Sequence, residues 1–273
     1  MVALERARGK FGLAVKRDQD NTRLAELVQG GCCRLLFPRV PHAGLEAVLV
    51  NISGGIAAGD RIRGDLTCAE GTDLLVTSQA AERIYRARAD DPPATMDVAC
   101  HIAAGARLEW LPHETIFFDQ SHLVRHMSVT MEETSSFLYL ESRVFGRSGS
   151  NEVLTRLGLR DRLSVSRAGH LVFEDMLRLE STDVSTLLAH PAVAGGHGAV
   201  TTMVLVAREA QALLQPVRDL LAERGIAGFA ASAWHGMLVV RGIAADTWSL
   251  KMAIHGLLPV LRGTRPMPAT WRL

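Results

Sequence analysis

Residues 70–77 read Glu-Gly-Thr-Asp-Leu-Leu-Val-Thr, a polar turn that runs directly into a short aliphatic strand. A similar unit, Ala104-Gly105-Ala106-Arg107-Leu108, comes later in the chain, and Glu133-Thr134-Ser135-Ser136-Phe137 is a third copy without the glycine. Each copy closes one strand and starts the next. Regularly repeated strand–turn units are typical of stacked strands, so we expect a mainly β protein built as a β-helix-like or two-sheet stack.

Short aliphatic runs continue on both sides of these units, over residues 1–180. They are bounded by Gly, Asp or Ser, as buried or half-buried strands are. Examples are 45–50, 73–77 and 137–140. The runs 159–166 and 171–179 flank Arg167-Ala168-Gly169-His170, which predicts a tight hairpin.

The last third of the chain, residues 199–273, predicts strands and two α-helices. The first helix, 209–224, has apolar residues at helical spacing and ends before Gly225; the second is capped by Asp246. Pro216 and Pro259 fall inside these helices, so we expect each to cause a kink. Residues 181–198 are rich in Gly and Pro and predict a loop. We expect residues 1–273 to form one continuous domain.

Composition restricts the partners and the compartment. The 30 basic and 29 acidic residues nearly cancel, which argues against nucleic acid or a membrane surface as a partner. The N-terminus has no apolar stretch of the kind that a secretion signal needs. The four cysteines include no Cys-x-x-Cys pair, so we expect no disulfide framework and a cytoplasmic location.

The segment Gly54-Gly55-Ile56-Ala57-Ala58-Gly59-Asp60-Arg61 is the richest candidate for chemistry. A phosphate-binding loop needs Lys and Ser or Thr after its last glycine, whereas Asp60 follows here. We therefore interpret Gly54, Gly55 and Gly59 as residues of a structural turn that requires positive φ. Asp60 either caps that turn or faces a polar interior.

Neither an enzyme nor a firm metal site is predicted. The chain contains no Gly-x-Ser-x-Gly or His-Glu-x-x-His motif. On a strand, His122 and His126 lie about 13 Å apart, too far for one ion. His190 and His197 flank a loop and could converge, but nothing in the sequence fixes them together. A β-helical carbohydrate-active enzyme is an alternative, disfavoured by the 5% aromatic content and the missing secretion signal.

Several segments, in order along almost the whole chain, resemble the urease accessory protein family UreD, also called UreH. Departures are Ala58, where the family usually has glycine, and His113, where it usually has Gln. The matching segments are Thr22-Arg23-Leu24, Leu36-Phe37-Pro38-Arg39, Gly54–Arg61, Thr77-Ser78-Gln79-Ala80-Ala81-Glu82-Arg83-Ile84-Tyr85-Arg86, Leu108-Glu109-Trp110-Leu111-Pro112-His113-Glu114-Thr115-Ile116, Phe145-Gly146-Arg147 and Leu171-Val172-Phe173-Glu174-Asp175.

The resemblance implies a β-helix-like stack with two C-terminal helices and a non-catalytic role in urease maturation. It implies binding to apo-urease and to a helical accessory protein of the UreF type, which recruits a nickel-delivering GTPase of the UreG type. No tightly bound cofactor is implied: nickel passes in transit, and GTP enters only through the GTPase. A scaffold unrelated to nickel is the alternative.

The resemblance also implies a polar nickel route inside the stack. For each candidate residue, the alternative is a strand-end side chain that caps backbone groups. The candidates are Asp60, Ser78, Gln79, Glu114, Glu141 and Glu174.

Overall fold

The computed structural model describes residues 5–39, 44–147 and 152–272. The helices there are α1 (Val184–Ala189), α2 (Leu214–Glu223) and α3 (Thr247–Arg262), with 3-10 turns at Ala210–Leu213 and Ala269–Trp271. The strands are β1 (Arg8–Asp18), β2 (Asn21–Gly30), β3 (Cys33–Leu36), β4 (Leu45–Asn51), β5 (Arg61–Cys68), β6 (Asp73–Ser78), β7 (Glu82–Ile84), β8 (Ala94–Ile102), β9 (Arg107–Leu111), β10 (Thr115–Phe117), β11 (His122–Met131), β12 (Ser136–Phe145), β13 (Leu157–Arg167), β14 (His170–Ser181), β15 (Ala199–Val206), β16 (Phe229–Trp234) and β17 (Met237–Ala244).

These strands form two sheets. Sheet A has the order β14-β13-β11-β8-β5-β1-β2, and sheet B has the order β16-β17-β15-β12-β9-β6-β4-β3, with β7 and β10 as a short side ladder. From β4 to β13 the long strands alternate between the sheets, and successive strands within each sheet pair in parallel. This confirms the predicted mainly β, two-sheet stack with helices in the C-terminal part.

The repeated strand–turn unit is also confirmed. Its three copies form the turns that join β5 to β6, β8 to β9 and β11 to β12. The turns stack on one another through backbone hydrogen bonds: Gly71 N donates to Ala104 O at 3.0 Å, and Ser136 N donates to Ala106 O at 2.9 Å. Gly71 and Gly105 have φ values of 65° and 63°, which explains why glycine recurs at this position.

The hairpin between β13 and β14 follows the sequence prediction. Ala168 and Gly169 both have positive φ, 49° and 80°. Two central residues with positive φ give the twist that suits a two-residue hairpin. The paired strands β13 and β14 then close one edge of sheet A.

The main hydrophobic core lies between the two sheets. On β5, buried and exposed residues alternate without exception, and Leu66 is fully buried. Leu74 on β6 and Phe137 on β12 face it from sheet B and are also fully buried. Burying such side chains contributes about 1.5–3 kcal/mol each, so this layer holds the stack together.

A second core covers the outer face of sheet B. There α3 packs against β15 and β17, α2 packs against β16 and α3, and Leu250, Leu257 and Leu258 are fully buried. Asp246 caps α3 as predicted, because its Oδ1 accepts from Ser249 N at 2.7 Å. Since β15 pairs with β12, sheet B runs without interruption from the β-stack into the C-terminal region.

Two details of the predicted C-terminal region are wrong. Residues 181–198 are not wholly a loop, because α1 forms there with Asp183 as its cap. Pro216 does not interrupt a helix: the helix predicted over 209–224 begins as a 3-10 turn, and Pro216 is the third residue of α2. The first-turn N–H groups of a helix have no intrahelical acceptor, so proline is tolerated there. Pro259, in contrast, lies inside α3.

In the part of the chain that the structure describes, no helix combines the length and the apolar character needed to cross a membrane.

Candidate functional site: a polar pocket between the sheets

Four charged side chains interrupt the apolar layer between the sheets. Arg125 on β11, Asp161 on β13, and Glu141 and Arg143 on β12 occupy positions that strand alternation assigns to the core. All four are buried. Buried charges require partners, so these residues, here named the charged cluster, must neutralise one another.

The geometry of the charged cluster meets that requirement. Arg125 makes two bonds to Asp161, Nε–Oδ1 at 2.9 Å and Nη2–Oδ2 at 2.5 Å. Arg143 Nε reaches Asp161 Oδ2 at 2.6 Å, and Arg125 Nη1 reaches Glu141 Oε1 at 2.7 Å. Thr115 on β10 donates its hydroxyl to the same Glu141 oxygen at 2.9 Å. The cluster therefore joins β11 and β13 of sheet A to β10 and β12 of sheet B.

The two carboxylates of the cluster differ in electrostatic environment. Burial disfavours ionised Asp161, but Arg125 and Arg143 outweigh burial and hold the pKa of Asp161 well below its usual range. For Glu141, burial dominates and raises the pKa, because the attraction of Arg125 offsets only part of the desolvation. The two arginines thus stabilise Asp161 as an anion, whereas the desolvation of Glu141 is only partly offset by its partners.

A pocket of about 200 Å³ reaches the cluster from the protein surface. Arg125 and Glu141 line it, and so do Ser78, Gln79 and Glu82 from the segment that contains β6 and β7. Gln79 is exposed, and Ser78 is half-buried. The pocket thus leads from the solvent-exposed 78–82 segment to buried charges between the sheets.

The donors in this pocket suit a hard or intermediate cation held weakly. Glu82 accepts from Asn51 Nδ2 at 3.1 Å, and burial raises the pKa of Glu82. Cys33 also lines the pocket, but burial and the neighbouring Cys32 raise the pKa of its thiol to about 12. A thiol must lose its proton to bind metal, so the oxygen donors of Glu82 and Glu141 are the stronger candidates.

The predicted structural turn lies directly before β5, and its three glycines adopt positive φ. Gly54, Gly55 and Gly59 have φ values of 76°, 149° and 82°. Asp60 caps the turn: its Oδ2 accepts from Ala57 N at 2.8 Å, and its Oδ1 accepts from Ala7 N at 2.7 Å. Asp60 is buried and lies outside the lining of the pocket, so the structure places it as a cap.

Two other candidate residues lie away from the pocket. Glu114 contacts α3 on the other side of sheet B, where its Oε1 is 3.0 Å from Lys251 Nζ and its buried Oε2 has no hydrogen-bond partner. Glu174 is exposed on β14 and forms an ion pair with Arg162 at 3.1 Å. Of the six candidates, the pocket therefore brings together Ser78, Gln79 and Glu141 only.

The sequence was compared with known protein families and curated proteins. The family model described as UreD urease accessory protein matches residues 7–272. The chain belongs to the UreD family of urease accessory proteins. It is 37% identical over 272 residues to "Urease accessory protein UreD" of Agrobacterium fabrum, covering 100% of this chain and 93% of the relative. It is 40% identical to the protein of the same name from Rhizobium leguminosarum bv. trifolii, covering 98% and 96%.

Membership of the UreD family assigns the chain a role in urease maturation. It confirms the sequence resemblance and the expectation of an accessory protein in place of an enzyme. The same result removes the support for a β-helical carbohydrate-active enzyme, since the match to accessory proteins extends over nearly the whole chain.

In this UreD-family chain, three residues of the charged cluster and one further carboxylate of the pocket were missed by the sequence analysis. Arg125, Asp161, Arg143 and Glu82 were not among the candidates. The signal for Arg125 was present: within His122–Met131 it is the one charged residue among the buried alternate positions. Asp161 breaks the same alternation on β13. Both residues can be recognised in the sequence as ionised side chains at strand positions whose alternate neighbours are apolar.

Both predicted histidine pairs lie in the described part of the chain. His122 and His126 lie on β11, as the strand prediction assumed. His190 Nδ1 accepts from Ala192 N at 3.2 Å, and His197 Nδ1 is 2.8 Å from Ala194 O, so each ring contacts the backbone of its own loop. Across residues 5–39, 44–147 and 152–272, no three His, Cys, Asp or Glu side chains are grouped closely enough to hold a metal ion.

Proposed function

We propose that this chain binds apo-urease together with a helical accessory protein of the UreF type, and that the pocket between the sheets passes nickel during its insertion into urease. A nickel-delivering GTPase of the UreG type acts through the UreF-type protein, so GTP is not bound by this chain. Nickel is cargo here, not a resident cofactor. We place this step in the cytoplasm, in keeping with four buried cysteines that are all free thiols.

One observation carries the proposal: a UreD-family chain has a polar pocket that leads into an otherwise apolar two-sheet core. Buried charge is costly, and apolar residues of the same size would stabilise the stack at least as well. Glu82 and Glu141, with Ser78 and Gln79, offer oxygen ligands along the pocket. His113 also lines the pocket, but its Nε2 lies 3.1 Å from Thr270 O, so most of the donors available to nickel are oxygens. Oxygen donors bind nickel more weakly than thiolate or imidazole does, which suits a transported ion.

The experiment is co-expression of urease with its accessory proteins, carrying Glu82→Gln in this chain. The change keeps the size of the side chain and removes its charge. We expect the apo-urease complex to co-purify as before, while urease activity and nickel content fall severalfold. Glu174→Gln, at an exposed glutamate outside the pocket, is the matched control and should activate urease normally.

Two results would count against the proposal. Normal activation by Glu82→Gln and by Glu141→Gln, with both variants folded, would remove the pocket from the nickel route. Loss of the complex in Glu82→Gln would instead assign this region to docking, in line with a scaffold that does not handle nickel.

A further inference from the structure

A second pocket, of about 600 Å³, lies where the strands of sheet A begin. Backbone hydrogen bonds hold its three loop segments side by side: Ala87 N donates to Gln120 O at 2.9 Å, and Gln120 N donates to Arg156 O at 2.7 Å. The arginine pocket, as we name it, is lined by residues that include Arg88, Gln120, Ser121, His122 and Arg156, and Arg86 lines the adjoining depression. The paired loops fix the backbone positions of these residues.

The three arginines carry uncompensated charge. Among the described residues, no carboxylate lies within 4.0 Å of the guanidinium groups of Arg86, Arg88 or Arg156, and none of these side chains has a hydrogen-bond partner. The chain as a whole has a net charge of only +1. Three neighbouring cations without counter-charges repel one another, and an anion would relieve that repulsion.

The carboxylates at the rim are committed to other cations. Asp91 Oδ1 accepts from Arg6 Nη2 at 2.9 Å. Glu180 contacts Arg160 and also Arg178, whose Nη2 lies 2.6 Å from Glu180 Oε2. Asp91 Oδ2 also accepts from Arg88 N at 3.3 Å, but neither acid forms an ion pair with a guanidinium group of the pocket.

A buried hydroxyl without a partner points to the same kind of ligand. Ser121 lines the arginine pocket, is 1% exposed, and its Oγ has no hydrogen-bond partner. An unsatisfied buried polar group costs free energy unless a ligand or water satisfies it. Next to it, Gly158 leaves room for the His122 ring, because a Cβ at Gly158 would lie 2.5 Å from His122 Cδ2.

We propose that the arginine pocket binds an oxyanion, either a carboxylate or a phosphate group, with Arg86, Arg88 and Arg156 supplying the charge and Ser121 a hydroxyl donor. Guanidinium groups match the oxygens of both anions with two parallel hydrogen bonds. The anion comes either from a free small oxyanion or from an acidic segment of a protein partner. This proposal does not depend on nickel transfer.

The test is titration calorimetry of the full chain at fixed ionic strength in chloride buffer, with inorganic phosphate and, separately, with a hexaglutamate peptide. We expect saturable binding of at least one probe. Arg88→Gln and Arg156→Gln should each weaken it by about tenfold or more, since each loses a charge-assisted hydrogen bond. Arg63→Gln, at an exposed arginine elsewhere on sheet A, is the control and should bind as the wild type does.

The two probes distinguish the two possible sources of the anion. Binding of phosphate alone assigns a free oxyanion, and binding of hexaglutamate that phosphate displaces assigns an acidic partner segment; either result supports the proposal. Absence of saturable binding by both probes, or an equal loss in Arg63→Gln, overturns it.

The variant Ser121→Ala tests whether Ser121 binds the anion or only supports the fold. Because the Ser121 hydroxyl has no partner in the free protein, its removal should leave the melting temperature unchanged or raise it, while weakening anion binding. A lower melting temperature with unchanged anion affinity would contradict the role given to Ser121.

Discussion

Arg125 and Asp161 occupy the same register position on the neighbouring parallel strands β11 and β13, and their side chains form a two-bond ion pair inside the protein. Arg143 reaches the same aspartate from the opposite sheet. One carboxylate therefore holds two arginines and ties the two sheets together at the base of the pocket. This relationship makes Asp161 the most sensitive residue of the cluster.

Asp161→Asn should lower the free energy of unfolding by about 3–5 kcal/mol, because it leaves two arginines buried with too little negative charge. Urea unfolding followed by circular dichroism measures the change. The control, Glu174→Gln, removes an exposed partner of Arg162 and should cost no more than about 1 kcal/mol. Similar losses in the two variants would contradict the assigned importance of the cluster.

The stabilisation from Asp161 should depend on pH. The pKa of Asp161 is lower in the folded chain than in the unfolded chain, where an aspartate has a pKa of about 3.9. Its contribution is therefore complete above the unfolded pKa and is lost as the pH falls through the folded one. The difference in unfolding free energy between wild type and Asp161→Asn should shrink between about pH 5 and about pH 3. A difference that stays constant over this range would show that Asp161 is not stabilised as an anion.

A second buried ion pair fastens α3 to sheet B. Arg262 Nε lies 2.7 Å from Glu109 Oε2, and both residues are buried. Arg262→Ala should cost about 3–5 kcal/mol, because Glu109 is left buried with only the more distant Arg107, 3.9 Å away, as a cation. The control is Arg265→Ala: Arg265 pairs with Asp73 at 3.2 Å near the surface, so its loss should cost no more than about 1 kcal/mol. Equal losses of unfolding free energy in the two variants, measured by chemical denaturation, would contradict this prediction.

Two variants of the glycine turn distinguish the cost of backbone strain from the cost of a side-chain clash. An alanine Cβ at Gly55 would lie 2.3 Å from the Tyr85 ring, whereas one at Gly54 meets nothing within 4 Å. We expect Gly54→Ala to cost about 1 kcal/mol from its positive φ alone. Gly55→Ala should cost about 1–3 kcal/mol for strain and, in addition, displace Tyr85, whose hydroxyl donates to Gly54 O at 2.7 Å. Equal melting temperatures of the two variants would contradict this account.

Asp60 accepts two backbone hydrogen bonds at the glycine turn, so we expect it to serve the turn and not the nickel route. Asp60→Asn removes the charge and can accept only one of the two backbone hydrogen bonds, so stability should fall by about 1–3 kcal/mol. Urease activation per mole of folded protein should stay near that of the wild type. Complete loss of activation in complexes that still form would return Asp60 to the nickel route.

The stack of strands could be predicted from the sequence because the residues that mark its turns are close together in the chain. The turn at 70–74 and its copies mark strand ends directly, and glycines with positive φ recur where those turns stack. Asp246 is likewise found from its own position before a helical pattern. Such features depend on neighbours in the chain and need no knowledge of the fold.

The polar pocket depends on distant pairings, which the sequence does not display. Asp161 is the partner of Arg125 only because β11 and β13 pair in one particular register. Glu141 and Glu174 both lie on strands, but successive side chains of a strand point to opposite faces. Glu141 therefore faces the core, whereas Glu174 faces solvent. Glu114 lies outside a regular strand and contacts Lys251 of α3, a partner that no local pattern indicates.

The most direct test of the central claim is the nickel content of urease purified from cells that lack this chain and grow at ordinary nickel concentrations. We predict abundant urease protein with little nickel, and restoration of the nickel by the wild-type chain. Normal nickel occupancy in the absence of the chain would contradict its role in urease maturation.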